Sequence, residues 1–236
     1  MLIQTDPFFH LVIDNFFDTS TARRLSEEFF AYDDPRWFHY NNPIEKKKTI
    51  NHWNWFPKTT YQEFARLSST EFIQHVQKIT GINNLLPDIG LHGGGWHMHG
   101  RGDKLNIHKD YSIHPKLSLL RKLNLIVYLT PEWQPNWGGA LELWSHCEQT
   151  NKPLQRKVQV DCLFNRAILF DTTQNSWHGL PTPIDCPEGI SRKSMAVYYL
   201  TDPEGAEEQR YRALFVPTSE QAQDPEIAKL CETRSK

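Results

Sequence analysis

A histidine and an aspartate two residues apart are the first candidates for chemistry in this chain. His108 and Asp110 follow a short alternating pattern, residues 104–108, that is typical of a strand. Because alternate residues of an extended chain point to the same side, one imidazole and one carboxylate can reach a single metal ion. Such pairs also arise by chance in a chain with 11 histidines and 28 acidic residues. The pair therefore indicates a metal site only if further ligands accompany it.

A third candidate ligand, His178, lies in the sequence Asn-Ser-Trp-His-Gly. It follows the apolar strand predicted at residues 167–170, so a neighbouring strand can deliver it to the same end of a barrel. Two histidines and one carboxylate on one side of a metal ion leave three adjacent coordination positions open. Non-haem Fe(II) oxygenases use this arrangement.

Arg192 and Ser194 begin another strand pattern, which continues through the apolar residues 195–200. Alternation places a guanidinium and a hydroxyl on one face of this strand, next to the small side chain of Ala196, which leaves room for a ligand. A guanidinium binds a carboxylate bidentately. The pair therefore suits the distal carboxylate of a dicarboxylic cosubstrate.

The ordered set H-x-D, G-G-x-L, W-H-G and R-x-S, spread over residues 91–200, resembles the Fe(II)/2-oxoglutarate-dependent dioxygenases of the prolyl-hydroxylase-like superfamily. By this resemblance Arg192 binds the C5 carboxylate of 2-oxoglutarate with help from Ser194. The implied iron ligands are His108, Asp110 and His178.

The resemblance implies two more cosubstrate contacts. Tyr128 falls where members of the superfamily place a tyrosine that bonds the same carboxylate, although a core aromatic is the alternative, and Leu141 would form an apolar wall. Ten residues before the first iron ligand, where some prolyl hydroxylases carry a pocket tyrosine, this chain has Met98. The remaining cosubstrate and substrate contacts are therefore expected to differ.

The implied reaction is the hydroxylation of an unactivated C–H bond with O₂ and 2-oxoglutarate, which releases succinate and CO₂. The implied cofactors are Fe(II), 2-oxoglutarate as cosubstrate, and ascorbate as a reductant. The substrate stays open between a peptidyl residue, a free amino acid and a biosynthetic intermediate. Halogenation is not expected, because the related halogenases lack the carboxylate ligand that Asp110 provides.

Two other functions remain as alternatives. His97 and His99 form a second pair two residues apart, with His92 before it and Asp103 after it, and cupin metal sites begin with such a pair. That site would belong to a metal-dependent isomerase or a dioxygenase that does not use 2-oxoglutarate, but no glutamate follows at cupin spacing. The second alternative is a jelly-roll binding module without catalysis, which an incomplete ligand set would favour.

The surrounding pattern predicts an α+β fold, a double-stranded β-helix (jelly-roll) core with N-terminal helices packed on one face. A strand at 7–17 and helices after Asp18 and over 60–80 precede the core. The later strands are predicted at residues 96–99, 104–108, 122–130, 140–144, 155–160, 167–170, 193–200 and 211–216. We expect a single domain over 1–236, with a helical and lid-like part at 1–90, a catalytic core at 91–216 and a polar tail at 217–236, frayed or a short helix.

Residues 33–61 show no period but are rich in aromatic side chains. A long irregular segment of this kind is usually functional. We expect it either to cover the iron site as a lid or to close one end of the barrel as a plug. The expected substrate contacts are Trp37, Tyr40, Trp53 and Trp55.

Composition excludes several classes of partner. The formal net charge of −2 gives no electrostatic reason to expect nucleic acid or an anionic membrane as a partner. The N-terminus lacks the basic start and apolar middle of a signal peptide, so we expect a soluble cytoplasmic protein. The four cysteines form no C-x-x-C motif and are expected to be reduced.

Overall fold

Thirteen β-strands and four α-helices lie in residues 3–204 and 209–235, the parts of the chain that the computed structural model describes. The strands are β1 (His10–Ile13), β2 (Phe38–Asn42), β3 (Glu45–Ile50), β4 (Leu86–Pro87), β5 (Gly95–His99), β6 (Lys104–Lys109), β7 (Leu120–Tyr128), β8 (Leu141–Cys147), β9 (Lys152–Val160), β10 (Ala167–Asp171), β11 (Trp177–Leu180), β12 (Arg192–Thr201) and β13 (Leu214–Phe215). The helices are α1 (Thr19–Glu28), α2 (Lys58–Leu67), α3 (Thr70–Thr80) and α4 (Pro225–Ser235). None of these helices combines the length and the apolar character that a membrane span requires.

The strands form one antiparallel sheet that is nearly closed into a barrel. One half has the order β1-β10-β7-β12-β5 and the other has the order β6-β11-β8-β9, with β3 between them. The helices α1 to α3 precede most of the strands in the chain and cover one side of the sheet. The predicted α+β class and the strands predicted after residue 90 are confirmed, and β4 and β11 are additional.

The strand β3 corrects the prediction that residues 33–61 lack regular structure. β2 and β3 form a hairpin, and β3 pairs with β5 through Lys48 and with β6 through Glu45, so it joins the two halves of the sheet. The lysine run at 46–48 hides the strand pattern in the sequence. Lys48 is 7% exposed and donates a hydrogen bond to the carbonyl oxygen of Tyr32, although a run of charged residues is usually solvated.

The N-terminal helices begin and end where their capping residues lie. Asp18 caps α1 by accepting a hydrogen bond from the backbone of Thr21 at 3.0 Å. The helical pattern predicted over 60–80 is divided in two, because Ser69 caps α3 by accepting from the backbone of Phe72 at 3.2 Å. Gly81, with φ of 73°, ends α3 in the left-handed conformation that favours glycine.

A large hydrophobic core fills the space between these helices and the outer face of β5, β7 and β12. Its centre is Trp96, whose side chain is fully buried and stacks on Phe29 with ring centroids 4.4 Å apart. Phe56 approaches the same indole ring edge-on at 5.2 Å. Aromatic contacts of this kind add to the free energy of burial. The helices therefore hold the outer face of the sheet firmly in place.

The C-terminal segment is the short helix α4 rather than a frayed tail. Ile227 and Cys231 are buried beside β13, and the guanidinium of Arg234 forms an ion pair with Glu45 at 2.5 Å. Glu45 belongs to the strand that links the two halves of the sheet. The tail is thus part of the wall of the barrel.

Candidate active site

Three predicted metal ligands meet at one end of the barrel. His108 on β6 lies directly opposite His178 on β11, and Asp110 follows the end of β6. Nε2 of His108 is 3.6 Å from one carboxylate oxygen of Asp110, and Nε2 of His178 is 3.9 Å from the other. Within residues 3–204 and 209–235 this is the one group of three such side chains whose ligand atoms all lie within 4.8 Å of one another.

Backbone carbonyls fix both imidazole rings in the same way. Nδ1–H of His108 donates to the carbonyl oxygen of Asn106 at 2.9 Å, and Nδ1–H of His178 donates to that of Ser176 at 2.8 Å. Each Nε2 lone pair is therefore left for the site that the rings share with Asp110. Gly179 permits the close pairing of the two strands, because a Cβ atom there would lie 2.8 Å from the carbonyl oxygens of residues 105 and 106.

Hydrogen bonds also fix the aspartate. The hydroxyl of Tyr198 donates to the carboxylate of Asp110 at 2.9 Å, and the amide of Asn124 donates to that hydroxyl at 2.9 Å. Arg210 donates from Nε and Nη2 to the backbone carbonyl of Asp110, at 3.2 and 2.9 Å. The carboxylate is thus oriented from its side chain and from its backbone.

The site favours the protonation states that a metal ion needs. Burial raises the pKa of Asp110, but the neighbouring imidazole of His108 and the charge of Arg121 outweigh burial and hold this pKa well below its usual range. Burial, with the charge of His108, lowers the pKa of His178 to about 4. A carboxylate and a neutral imidazole are therefore present near pH 7. These donors fit Fe(II), which accepts two histidines and one carboxylate with three positions left open.

Arg192 lies at the start of β12, on the wall of the same cavity as the three ligands. Its side chain is buried, and Nε donates to the carbonyl oxygen of Gly139 at 2.8 Å. Tyr128 and Cys162 are neighbours of the guanidinium, and no acidic side chain in the described parts of the chain forms an ion pair with it. A buried guanidinium without a carboxylate partner is stabilised when an anion pairs with it.

The other predicted cosubstrate residues surround Arg192. Ser194 and Leu141 line the cavity, and Ser194 lies opposite Tyr128 in the pairing of β12 with β7. The guanidinium carbon of Arg192 is 4.7 Å from the ring centroid of Tyr128, whose buried hydroxyl finds no partner by hydrogen-bond geometry among the described residues. Burial raises the pKa of Tyr128 to about 12, against the charge of Arg192, so the hydroxyl stays a donor. This group of residues fits the distal carboxylate of 2-oxoglutarate.

His97 and His99 also face the cavity, whereas Met98 between them is buried in the core under the helices. Loss of hydration lowers the pKa of His97 to about 3 and that of His99 well below its usual range. Both rings are therefore neutral. The imidazoles of His97 and His99 therefore form this part of the cavity wall. Met98 does not, because alternation along β5 turns it to the other face.

The cupin alternative finds no support in this geometry. Its two further residues have other partners: the carboxylate of Asp103 accepts from Tyr32 and from the backbone of Gly100, and the ring of His92 packs on His114 at 5.2 Å. In the parts of the chain that are described, no third ligand atom joins His97 and His99.

The four aromatic residues expected to contact substrate are divided. Tyr40 lines the main cavity, which has a volume of about 760 Å³. Trp37 and Trp55 line an adjoining cavity of about 450 Å³, to which Tyr40 also contributes. Trp53 instead packs against Phe64, and its indole donates to the carbonyl oxygen of residue 89 at 2.7 Å. The structure therefore brings three of the four toward the site.

Two important residues were missed at the level of the sequence. Tyr198, which donates a hydrogen bond to Asp110, shares the inner face of β12 with Arg192 and Ser194, but alternation alone does not assign it this role. Arg121 is 1% exposed and lies between two rings, 3.4 Å from the centroid of Tyr198 and 3.9 Å from that of Tyr111. An arginine beside an apolar strand pattern is an available signal for a buried charge, because such residues are seldom buried without a role.

Known proteins resemble this chain in sequence. The family model described as the 2OG-Fe(II) oxygenase superfamily matches residues 94–207. Among curated proteins, prolyl 3-hydroxylase OGFOD1 of Mus musculus is 26% identical over 207 residues, which is 84% of this chain and 33% of that protein. This chain thus spans about a third of the length of that relative.

Solved structures share the fold. A prolyl-4-hydroxylase from Pseudomonas putida superposes with a TM-score of 0.57 at 15% identity, over 81% of this chain and 92% of that one. A prolyl hydroxylase from Trichoplax adhaerens, in complex with a peptide fragment of the hypoxia inducible factor oxygen degradation domain, gives 0.55 at 17% identity, over 85% and 87%. HygX from Streptomyces hygroscopicus, with nickel, 2-oxoglutarate and hygromycin B bound, gives 0.52 at 15% identity, over 81% and 82%.

These likenesses confirm the double-stranded β-helix and the resemblance to prolyl-hydroxylase-like proteins that the motifs indicated. The family match covers all three candidate ligands and Arg192. In sequence over residues 94–207, in fold and in donor set, the chain therefore resembles the 2-oxoglutarate-dependent iron oxygenases, the prolyl hydroxylases among them.

Proposed function

We propose that the chain hydroxylates an unactivated C–H bond with Fe(II), O₂ and 2-oxoglutarate, forming the alcohol, succinate and CO₂. One observation carries this proposal: the three ligands and the buried guanidinium of Arg192 line the same cavity. A group of metal ligands and a guanidinium in one cavity suit the keto acid end and the distal carboxylate of 2-oxoglutarate. Fe(II), when bound, would supply the oxygen chemistry that couples decarboxylation to oxidation of the substrate.

The chain's own residues then have separate tasks. His108, Asp110 and His178 hold the metal. The two imidazoles are oriented by hydrogen bonds from Nδ1–H to backbone carbonyls, and the carboxylate is oriented by the hydroxyl of Tyr198. Arg192 pairs with the distal carboxylate of 2-oxoglutarate, to which Tyr128 also donates. Ser194 and Leu141 complete the wall, one as a donor and one as an apolar surface. The cosubstrate is thereby held in one orientation toward the metal.

We further propose that Tyr40, Trp37 and Trp55 contact substrate at the entrance. They line the adjoining cavity, which shares Tyr40, Lys47 and His97 with the main one. Trp55 is 41% exposed and contacts the ring of His52 at 4.6 Å. Faster amide exchange around these residues in the free enzyme than in the loaded enzyme is expected of a lid, whereas a plug is protected in both.

The substrate class is open between a peptidyl residue and a small molecule. The mouse relative is named a prolyl 3-hydroxylase, and HygX was solved with hygromycin B bound. Ascorbate as a reductant is part of the proposal, and its effect on the number of turnovers tests it.

The proposed reaction is tested with ¹⁸O₂. The purified protein is incubated with Fe(II), 2-oxoglutarate and a panel of peptides, amino acids and small metabolites, and the products are examined by mass spectrometry. We expect one labelled oxygen atom in a product of the wild type and of His75→Ala, an exposed histidine on α3, and none with His108→Ala. A labelled product that persists in His108→Ala would contradict the proposal.

A further inference from the structure

The cavity is much more basic than the chain as a whole. Six cationic side chains line it but only two acidic ones do, whereas the whole chain has a net charge of −2. The cations are Lys47, Lys116, Arg121, Arg192, Arg212 and Arg234, and the acids are Glu45 and Asp110. A cavity lined by one sign of charge concentrates ligands of the opposite sign.

Half of these cations have partners in the proposed enzyme. Glu45 accepts ion pairs from Lys47 at 3.0 Å and from Arg234 at 2.5 Å. Arg192 is assigned to the distal carboxylate of 2-oxoglutarate. The remaining acid, Asp110, is a proposed metal ligand.

Three cations remain without a carboxylate. Lys116, Arg121 and Arg212 have no acidic oxygen within 4.0 Å among the residues that the structure describes. Lys116 and Arg212 are exposed and come from different segments, one after β6 and one before β13. They therefore border the opening from two directions.

Arg121 is the strongest indication of a missing ligand. Its side chain is 1% exposed, and none of its three guanidinium nitrogens donates a hydrogen bond to a described residue. The rings of Tyr111 and Tyr198 lie against the guanidinium but leave its N–H groups unpaired. A buried charge without hydrogen bonds is costly, and a bidentate oxyanion removes most of that cost.

We propose that the substrate is a small molecule with a carboxylate or phosphate group, which binds to Arg121 with Lys116 and Arg212 at the opening. This inference rests on the proposed function, since it names the substrate class for the same site. The volume of about 760 Å³ lies within the range of small-ligand sites, and 2-oxoglutarate takes part of it. The anionic group is anchored beside Tyr198, which bonds the ligand Asp110, so the rest of the substrate extends toward the metal.

Binding of inorganic phosphate tests the anion site without turnover. Phosphate is titrated into protein loaded with Mn(II) and 2-oxoglutarate, so that Arg192 is occupied. We expect saturable binding that Lys116→Gln/Arg212→Gln weakens about 10-fold. Arg23→Gln/Lys157→Gln, the same charge change at exposed positions away from the cavity, is the matched control and leaves the Kd unchanged.

Arg121→Gln is expected to weaken phosphate binding by about 10²-fold, and Arg121→Lys, which keeps the buried charge, by less. If Arg121→Gln fails to fold, the phosphate Kd values of Arg121→Lys and of Lys116→Gln/Arg212→Gln still test the inference, since both should be weaker than that of the wild type. No phosphate binding to the loaded wild type, or equal weakening in the control, would overturn the inference. A wild-type protein that binds phosphate but does not bind 2-oxoglutarate would instead contradict the proposed function.

Matched substrate pairs distinguish the two anions and the competing substrate class. Succinate release is measured with sugars and their phosphates, amino acids and their amides, and peptides with and without acidic residues. We expect stimulation by the anionic small molecules only. The active set, either the phosphates or the carboxylates, identifies the anionic group of the substrate. Stimulation by peptides or by neutral compounds alone would overturn the inference.

Discussion

The two faces of β12 use one strand for opposite purposes. On the outer face, Met195 and Tyr199 are buried under the helices, and the polar atoms find partners in the protein: the hydroxyl of Tyr199 donates to the carbonyl oxygen of Leu67 at 3.0 Å, and Lys193 donates to that of Ser26 at 2.9 Å. On the inner face, the buried guanidinium of Arg192 forms no ion pair with an acidic side chain of the described residues. The same strand therefore contributes to a core whose polar atoms are paired within the protein and to a cavity whose guanidinium lacks a carboxylate partner.

The difference between the two faces indicates which polar groups can bind a ligand. Several buried polar groups without hydrogen-bond partners lie on the cavity side of the sheet: the side chains of His99 and Arg121, the hydroxyl of Tyr128 and the amide oxygen of Asn124. Their unpaired state costs free energy in the empty protein, and the packing of the outer face stabilises the sheet against that cost. Substitutions on the outer face should change stability, whereas those on the inner face should change binding.

The largest effect is expected at the metal ligands. Asp110→Ala removes the one anionic donor, so Mn(II) binding, followed by electron paramagnetic resonance, should weaken at least ~10³-fold. His75→Ala should bind Mn(II) like the wild type. Wild-type affinity in Asp110→Ala would place the metal elsewhere.

On the outer face, Met195→Ala should lower the free energy of unfolding by about 2–5 kcal/mol, because the side chain is 1% exposed and its loss leaves a cavity. Urea denaturation measures this change. The Kd of the folded variant for 2-oxoglutarate should stay within about 2-fold of the wild type. A large loss of affinity without loss of stability would show that the two faces are not separate.

On the inner face, Arg192→Gln should weaken 2-oxoglutarate binding about 10²-fold and leave Mn(II) affinity unchanged, since it removes the charge partner of the carboxylate. Titration calorimetry with the Mn(II)-loaded protein measures both. An unchanged Kd for 2-oxoglutarate would remove Arg192 from the cosubstrate site.

The histidines of the inner face should make the metal-free protein sensitive to acid. The folded pKa values of His97 and His178, about 3 and about 4, lie below the unfolded value near 6.5, and that of His99 is also depressed. The unfolded chain therefore takes up protons first, and stability is full above about pH 6.5 and falls below it. Each histidine contributes about 1.4 kcal/mol per pH unit.

Urea denaturation at pH 7.5, 6.5 and 5.5 checks this slope. His97→Asn/His99→Asn should flatten it, whereas His75→Ala should not. Stability independent of pH over this range would show that these histidines are protonated as easily in the fold as in the unfolded chain.

The smallest effect is expected for Ser194→Ala, the inner-face neighbour of Met195. Losing one neutral hydroxyl contact should weaken 2-oxoglutarate binding by about 3-fold to 10-fold. The free energy of unfolding should change by less than about 1 kcal/mol. The reverse pattern, a large loss of stability with unchanged affinity, would assign Ser194 to the core.

The sequence predicted the site better than the walls around it. His108 and Asp110 share a face because of strand alternation, and this rule is local and holds in the fold. The position of His178 depends on the pairing of β11 with β6, which no local pattern reveals. The ordered set of motifs supplied that information instead.

Local sequence patterns do not predict the structure where contacts between distant residues determine it. The strand β3 could not be predicted because three consecutive lysines are typical of a solvated segment, whereas pairing with β5 and β6 places Lys47 on the cavity wall and buries Lys48. Arg121 was missed for a related reason. Its burial depends on Tyr111 and Tyr198, which are distant or on another strand.

The conversion of 2-oxoglutarate tests the central claim most directly. Wild-type protein, Fe(II), O₂ and 2-oxoglutarate are incubated with the active member of the substrate panel, and succinate is measured against 2-oxoglutarate consumed. We predict one succinate per 2-oxoglutarate in the wild type and in His75→Ala, and no conversion above the protein-free blank in His108→Ala or Asp110→Ala. Conversion that survives in both ligand variants would contradict the assignment of the site.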